Sequence, residues 1–240
     1  MTYCVAMRLD AGLVFLSDSR TNAGVDHVNT FRKMTIYERT GDRVLVLLTS
    51  GNLAISQAVT TLLQEGNHTA TGQNLMNAPT MFEAARVIGD ALREVRARDA
   101  EHLKEFGIEF TAAFILGGQI SGEAPRLFHI YAAGNFIEAT SDTPYFQIGE
   151  SKYGKPIIDR VIHNRRSLNE AAKCALISMD STIRSNLSVG LPLDLLIYER
   201  DALCVAKHVS IENDDPYFNL IHNQWGESLR QVFTELPDMP

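Results

Sequence analysis

Short apolar runs bounded by turn residues alternate along this chain with a few long segments of helical period. Tyr3 to Leu9 alternates loosely and Leu13 to Leu16 is continuously apolar. Asp10-Ala11-Gly12 lies between them, so the opening predicts a β-hairpin. Lys33 to Glu38 and Arg43 to Thr49 predict a second hairpin around Arg39-Thr40-Gly41-Asp42. Its Val44-Leu45-Val46-Leu47-Leu48 run suits a strand covered on both faces. A helix is expected from Asn52, a plausible N-cap, to about Gln64. Glu65 to Pro79 is polar and rich in Gly, Asn and Thr, which predicts a surface loop. Thr80 to Phe106 predicts a long amphipathic helix ended by Gly107, with Phe82, Ala85, Ile88, Leu92, Val95 and Leu103 near helical spacing.

The second half continues the alternation. Phe110 to Leu116 predicts a strand, Gly117 to Gly122 a turn, Arg126 to Ala132 a strand and Asn135 to Glu138 a short one. His129 reads as a sheet residue, because nothing near it in sequence pairs with it. Phe146 to Gly154 leads into a helix of roughly 12 residues. Ser167 with Glu170 three residues on is a capping-box signature and opens a helix to about Leu187. Leu193 to Tyr198 and Leu203 to Ile211 predict a last hairpin. Asp214-Asp215-Pro216 then opens a helix to about Phe233. Its apolar stripe of Tyr217, Leu220, Ile221, Trp225 and Leu229 suits either core packing or a subunit contact. With no repeat, low-complexity segment or linker, a single domain over residues 1–240 is expected.

Bulk properties narrow the function classes. A chain of 240 residues, 45% hydrophobic and 21% charged, is long enough for a full globular core. A net charge of −7 and the lack of a basic run argue against nucleic acid or anionic membrane as a partner. No apolar stretch approaches the ~20 residues of a membrane span, and the opening lacks the features of a secretory signal. Cys4, Cys174 and Cys204 are scattered without metal spacing, which suits reduced thiols in a cytoplasmic protein. Neither a metal nor a cofactor is expected.

The chemistry gathers at the start of the chain. A hairpin returns the end of its second strand to the start of its first, so Asp18 is expected beside Thr2. If Met1 were trimmed, Thr2 would carry a hydroxyl nucleophile and an α-amine base in one residue. Such an amine titrates at ~7.7–8.0. Lys33 is suited to favour ionisation of the Thr2 hydroxyl, and Asp18 to orient Lys33. Taken singly, Asp18 is as well explained as a strand-end cap and Lys33 as a solvated charge. Their joint spacing favours the chemical role. If Met1 stays, the Thr2 nitrogen is a peptide nitrogen and the base is missing.

Asp18-Ser19-Arg20-Thr21-Asn22-Ala23-Gly24, followed by Phe31-Arg32-Lys33, resembles the start of a proteasome-type β-subunit. The opening is most similar to the bacterial ancestral-β-subunit (Anbu) peptidases, relatives of HslV. The similarity runs the length of the chain, with its most specific motifs before about residue 55. It implies an α+β fold, the four-layer αββα sandwich of N-terminal-nucleophile hydrolases. On this resemblance Thr2 is nucleophile and base, with Asp18 and Lys33 completing the set. Gly51 matches the glycine whose N–H forms the oxyanion hole. Ile148-Gly149-Glu150-Ser151 is similar to the family's Ile-Gly-Ser-Gly stretch, with Glu150 directly after Gly149 and Ser151 one place later. Either Ser151 supports the terminal amine in a shifted loop, or it only caps the following helix. Ser188 fits a supporting serine, but Ser185 stands where the family commonly has Asp. Thr21 and Asn22 lie where the family pairs its backbone with extended substrate, a contact indifferent to side chain.

The resemblance therefore implies a threonine endopeptidase acting on peptide or unfolded protein, self-associating into a ring or spiral. Two alternatives remain: a non-catalytic peptide-binding or assembly subunit, and an amidohydrolase of a small amide. The chain has no nucleotide-binding motif, so ATP-driven unfolding would need a separate ATPase partner.

Overall fold

A computed structural model describes residues 1–22, 28–66 and 72–239. In chain order the elements are β1 (Tyr3–Leu9), β2 (Gly12–Asp18), β3 (Arg20–Asn22), β4 (Val28–Thr30), β5 (Met34–Arg39), β6 (Arg43–Gly51), α1 (Leu53–Glu65) and α2 (Met81–Glu105). They continue with β7 (Ala112–Ile120), β8 (Arg126–Ile130), β9 (Phe136–Glu138), β10 (Tyr145–Gly149), α3 (Ser151–Val161), α4 (Leu168–Ser185), β11 (Leu193–Glu199), β12 (Lys207–Ile211) and α5 (Pro216–Glu235).

The described strands form three antiparallel sheets. One is five-stranded in the order β10-β1-β2-β11-β12. A second runs β5-β6-β7-β8-β9, and β3 pairs with β4 in a small ribbon. The N-terminal hairpin forms as the pattern predicts, with Cys4 opposite Ser17 and Leu9 opposite Gly12. Strand alternation sends successive side chains to opposite faces, and both faces are covered at the central strands β1, β2, β11, β6 and β7, while the edge strand β12 is largely exposed. Cys4, Ala6, Leu13 and Phe15 pack against Val44, Val46, Leu48 and Ile115 between the sheets. Val5, Met7, Val14 and Leu16 face Ala171, Ala175 and Met179 of α4, Ile158 of α3 and Phe218 of α5. Leu45, Leu47, Phe114 and Leu116 face Val59 of α1 and Ile88, Leu92 and Val95 of α2. Each Val, Leu, Ile, Phe or Met among them contributes about 1.5–3 kcal/mol on full burial, which is why β6 reads as an unbroken apolar run.

Most helix signals hold closely, but α3 begins at Ser151, inside the segment expected to lead into it. The Asn52 side chain accepts from the Ala54 N–H, Thr80 caps α2, and Ser167 and Glu170 form the capping box of α4. Several expectations need correction. Gly117 to Ile120 is strand, not turn. A Cβ on Gly117 would strike the Phe15 ring, and one on Gly118 would overlap the Val44 carbonyl. These glycines permit close strand and sheet approach, and the turn falls at Ser121 and Gly122. The segment before Pro79 is not wholly surface, because Leu75 and Ala78 are buried. Residues 203–206 do not join the last strand, and Leu203 sits at φ 46. Phe82 is exposed, edge-on to Phe136 at 5.2 Å. Along α5, Ile221 is buried with Phe218, whereas Tyr217, Leu220 and Leu229 are exposed. No described helix is long and apolar enough to cross a membrane.

Candidate active site

The hairpin does what its turn implies. Asp18 ends β2 opposite the start of β1, and its Oδ1 accepts from the Tyr3 N–H at 3.0 Å. Lys33, just before β5 on the facing sheet, donates to the same Oδ1 at 2.7 Å and to the Arg20 carbonyl at 2.7 Å. Asp18 is fully buried and Lys33 is 6% exposed, so the ion pair is held away from solvent. Asp18 Oδ2 is buried without a well-formed hydrogen bond; the Gly190 N–H bears on the carboxylate only weakly. Burial pushes the Asp18 carboxyl above its usual range, and the Lys33 ammonium pulls the other way.

The Lys33 segment is pinned on both sides. Phe31 N–H donates to the Ser19 carbonyl at 2.8 Å and Thr49 N–H to the Lys33 carbonyl at 3.0 Å. Arg32 donates to the buried Asp194 of β11, which also lies 3.4 Å from His208. The loop after α4 is tied to the β2–β3 junction. Arg20 reaches the Leu187 carbonyl at 3.0 Å, and Ser19 Oγ reaches the Pro192 carbonyl at 2.6 Å. Gly190 leaves the room that the Arg20 guanidinium fills.

Thr2 is buried, and its carbonyl accepts from the Glu150 N–H at 2.7 Å. Gly149 must be glycine: at φ 81, a Cβ there would overlap the Thr2 carbonyl oxygen. A cleft of about 230 Å³ opens over Thr2, lined by Met1, Thr21, Lys33, Ser50 and Gly51 among others. Met1 is 63% exposed, with its sulfur 3.5 Å from Asn186 Nδ2. Gly51 ends β6 at φ 107, with no room for a Cβ beside the Thr111 carbonyl.

The structure thus brings Thr2, Thr21, Lys33 and Gly51 to one cleft, over the buried Asp18. The backbone of Asn22 ends β3, where Thr21 pairs with Asn29. Ser151 and Ser188 line neither this cleft nor its neighbour beside Glu150. Ser151 opens α3 without capping it. The N-cap residue is Glu150, which makes no side-chain cap bond. Ser188 sits in the turn after α4, its N–H on the Asn186 side chain at 2.9 Å. Ser185 is exposed at the end of α4. Asp180 turns instead to His222 of α5 at 2.6 Å, and Asp194 to Arg32, so neither replaces a carboxylate at Ser185. His129 is a sheet residue as expected, its ring centroid 4.4 Å from that of Tyr131 and tilted by 43°. Its Nε2 is nevertheless buried without a partner, and burial lowers its pKa. Sequence reasoning missed the Tyr3 hydroxyl, bonded to Ser178 at 3.0 Å and Gln147 at 2.6 Å, and the Arg32–Asp194 pair. A buried Asp in an otherwise apolar strand was the signal for the latter.

Paired antiparallel sheets with a threonine at the first strand and a buried Lys–Asp pair beside it define a protein of the proteasome-type N-terminal-nucleophile class. No protein-family model and no curated protein matches the chain. Solved structures do. Anbu (ancestral beta-subunit) from Yersinia bercovieri is 55% identical at TM-score 0.92, covering 100% of this chain and 99% of that one. An Anbu (Gly-1) mutant from Hyphomicrobium sp. strain MC1 is 52% identical at TM-score 0.92 over 100% of both chains. The helical assembly of the Anbu complex from Pseudomonas aeruginosa gives 50% identity and TM-score 0.94, over 100% of this chain and 98% of that one. The chain belongs to the Anbu, ancestral β-subunit, family.

Proposed function

We propose that this chain is a threonine endopeptidase in which Thr2 Oγ1 is the nucleophile, exposed when Met1 is removed, and which works inside a homo-oligomer. The observation that carries the reading is the buried Lys33–Asp18 ion pair, 2.7 Å long, beside the Thr2 cleft. A solvent-excluded pair is costly to maintain for stability alone, whereas a fixed positive charge next to a hydroxyl favours its ionisation. The freed α-amine takes the hydroxyl proton as Oγ1 attacks the substrate carbonyl, and the Gly51 N–H receives the oxyanion. The amine then returns the proton to the leaving amine, giving an ester on Thr2. Water cleaves that ester and releases the acid. Thr21 and Asn22 present backbone to an extended substrate. Ser188 and Ser151, although they line neither cleft, are proposed to support the terminal amine once Met1 is gone.

The layered packing supports the finer fold assignment, a four-layer αββα sandwich in one domain over residues 1–240. The Pseudomonas aeruginosa relative forms a helical assembly, and the exposed apolar side of α5 supports a spiral or ring here. The location is cytoplasmic, and any ATPase acts as a separate partner. A non-catalytic, peptide-binding role is favoured by one observation, the exposed Ser185 in place of a supporting carboxylate. Hydrolysis of a fluorogenic extended peptide by the wild-type chain, lost in folded Thr2→Ala, is the expected result. Equal turnover by Thr2→Ala refutes the threonine mechanism, and no turnover by a wild-type chain freed of Met1 favours the non-catalytic role.

A further inference from the structure

Three linked clefts run past Thr2. The outermost, about 350 Å³, lies between Arg32 and the Gln57, Thr60 and Gln64 side of α1. It shares Thr49, Leu53 and Ser56 with the cleft over Thr2. That cleft in turn shares Ser50, Gly51 and Asn52 with a third of about 530 Å³, which extends to Glu109 and Glu150. The result is one groove with the Thr2 position in its middle.

Its charge is unevenly spread. Among the described residues, Arg32 and Lys33 are the charged side chains lining the first two clefts, and Glu109 and Glu150 those lining the third. Lys33 is already committed to Asp18 and the Arg20 carbonyl. Arg32 commits Nη1 to Asp194, while 59% of its side chain stays exposed and Arg32 lines the groove, leaving further donors on its fork. On the other side Glu109 is exposed and Glu150 has only a long contact with Lys152, at 3.8 Å. Among the described residues, α1 contributes hydroxyls and amides but no charge from Leu53 to Gln64, so the counter-charge on Arg32 is the buried Asp194 behind it.

We infer that the groove reads the charge of its substrate on both sides of the bond to be cleaved. Carboxylate side chains seat toward Arg32 and cationic side chains toward Glu109 and Glu150. The inference rests on Thr2 being the reactive residue. Complementary charges of this kind select orientation and partner more than they add affinity, because a reversed substrate meets like charge at both ends.

The test uses the full-length Thr2→Ala chain and two fluorescein-labelled extended peptides of identical composition. One carries glutamates in its N-terminal half and arginines in its C-terminal half; the other has the halves exchanged. In anisotropy titrations at low salt, one order should bind about five- to tenfold tighter, the ratio that two or three exposed charge pairs give. The ratio should fall toward one at about 1 M salt, where charges are screened within ~3 Å. Arg32→Gln and Glu109→Lys should each reduce it, and Glu109 lies on an exposed loop where the change leaves the fold intact. Equal binding of the two orders, a ratio unmoved by both substitutions, or no binding of either peptide overturns the inference. Equal binding alongside wild-type peptide hydrolysis would leave the peptidase reading standing. A clear order preference in a chain that never hydrolyses would refute the peptidase and overturn the placing of the two charges about a cleaved bond, leaving only a groove that orients peptides by charge.

Discussion

Lys33→Ala removes the only described counter-charge on a fully buried carboxylate, and its effect on stability follows from the site's burial. Oδ1 loses the Lys33 donor at 2.7 Å and keeps only the Tyr3 N–H, while Oδ2 has no well-formed bond. Breaking a buried pair by removing one partner costs about 3–5 kcal/mol. The variant can limit that cost by protonating Asp18, whose carboxyl burial already raises. The sign follows. An acid whose folded pKa lies above its unfolded value of ~3.9 binds more protons folded than unfolded, so stability falls as pH rises through that interval. Lys33→Ala should therefore regain stability on acidification from pH 7 toward 5. Asp18→Asn/Lys33→Ala lacks the titrating group and serves as the reference, which cancels the other carboxylates. Urea melts at fixed protomer concentration should show the single variant less stable at neutral pH. The gap should close by about 1.4 kcal/mol per pH unit where Asp18 titrates. A gap that is absent at pH 7, or constant with pH, would refute the buried-pair reasoning.

Other consequences can be checked singly. Gly149→Ala should destabilise by about 2 kcal/mol or more, since it combines a left-handed backbone with overlap on the Thr2 carbonyl; calorimetry at fixed concentration reads it. Gly51→Ala should lower kcat about 10²-fold or more through the displaced oxyanion donor, with the Thr111 clash adding a measurable loss of stability. Leu229→Glu together with Val232→Glu, on the exposed apolar side of α5, should shrink the particle seen by light scattering while circular dichroism stays unchanged. An unaltered assembly would remove α5 from the subunit contact.

Much of the fold was legible because local chemistry and packing agree. The Asn52 and Ser167 caps, the hairpin at Asp10-Ala11-Gly12 and the apolar β6 run each had a local cause that the tertiary structure preserves. Gly117 and Gly118 misled because glycine marks both turns and close approaches, and only the position of Phe15 and Val44 tells them apart. The β3–β4 ribbon was illegible, being three-residue strands with no periodicity to detect. At the site, Thr2, Asp18 and Lys33 could be assembled from the hairpin and spacing. Arg32 and Asp194 could not, because 162 residues separate them and only the sheet order β2-β11 brings Asp194 beside Ser17. Phe218 was overlooked on α5 for a similar reason: its burial depends on where the helix docks.

The most direct measurement is intact mass of the purified chain before and after a hydroxyl-directed acylating probe, with peptide mapping of the adduct. The expected result is a chain lighter by one methionine residue that takes a single adduct on Thr2, with no adduct in Thr2→Ala or Lys33→Ala. A folded, assembled chain that has lost Met1 yet takes no adduct, or one that is labelled equally in Thr2→Ala, would contradict the threonine nucleophile.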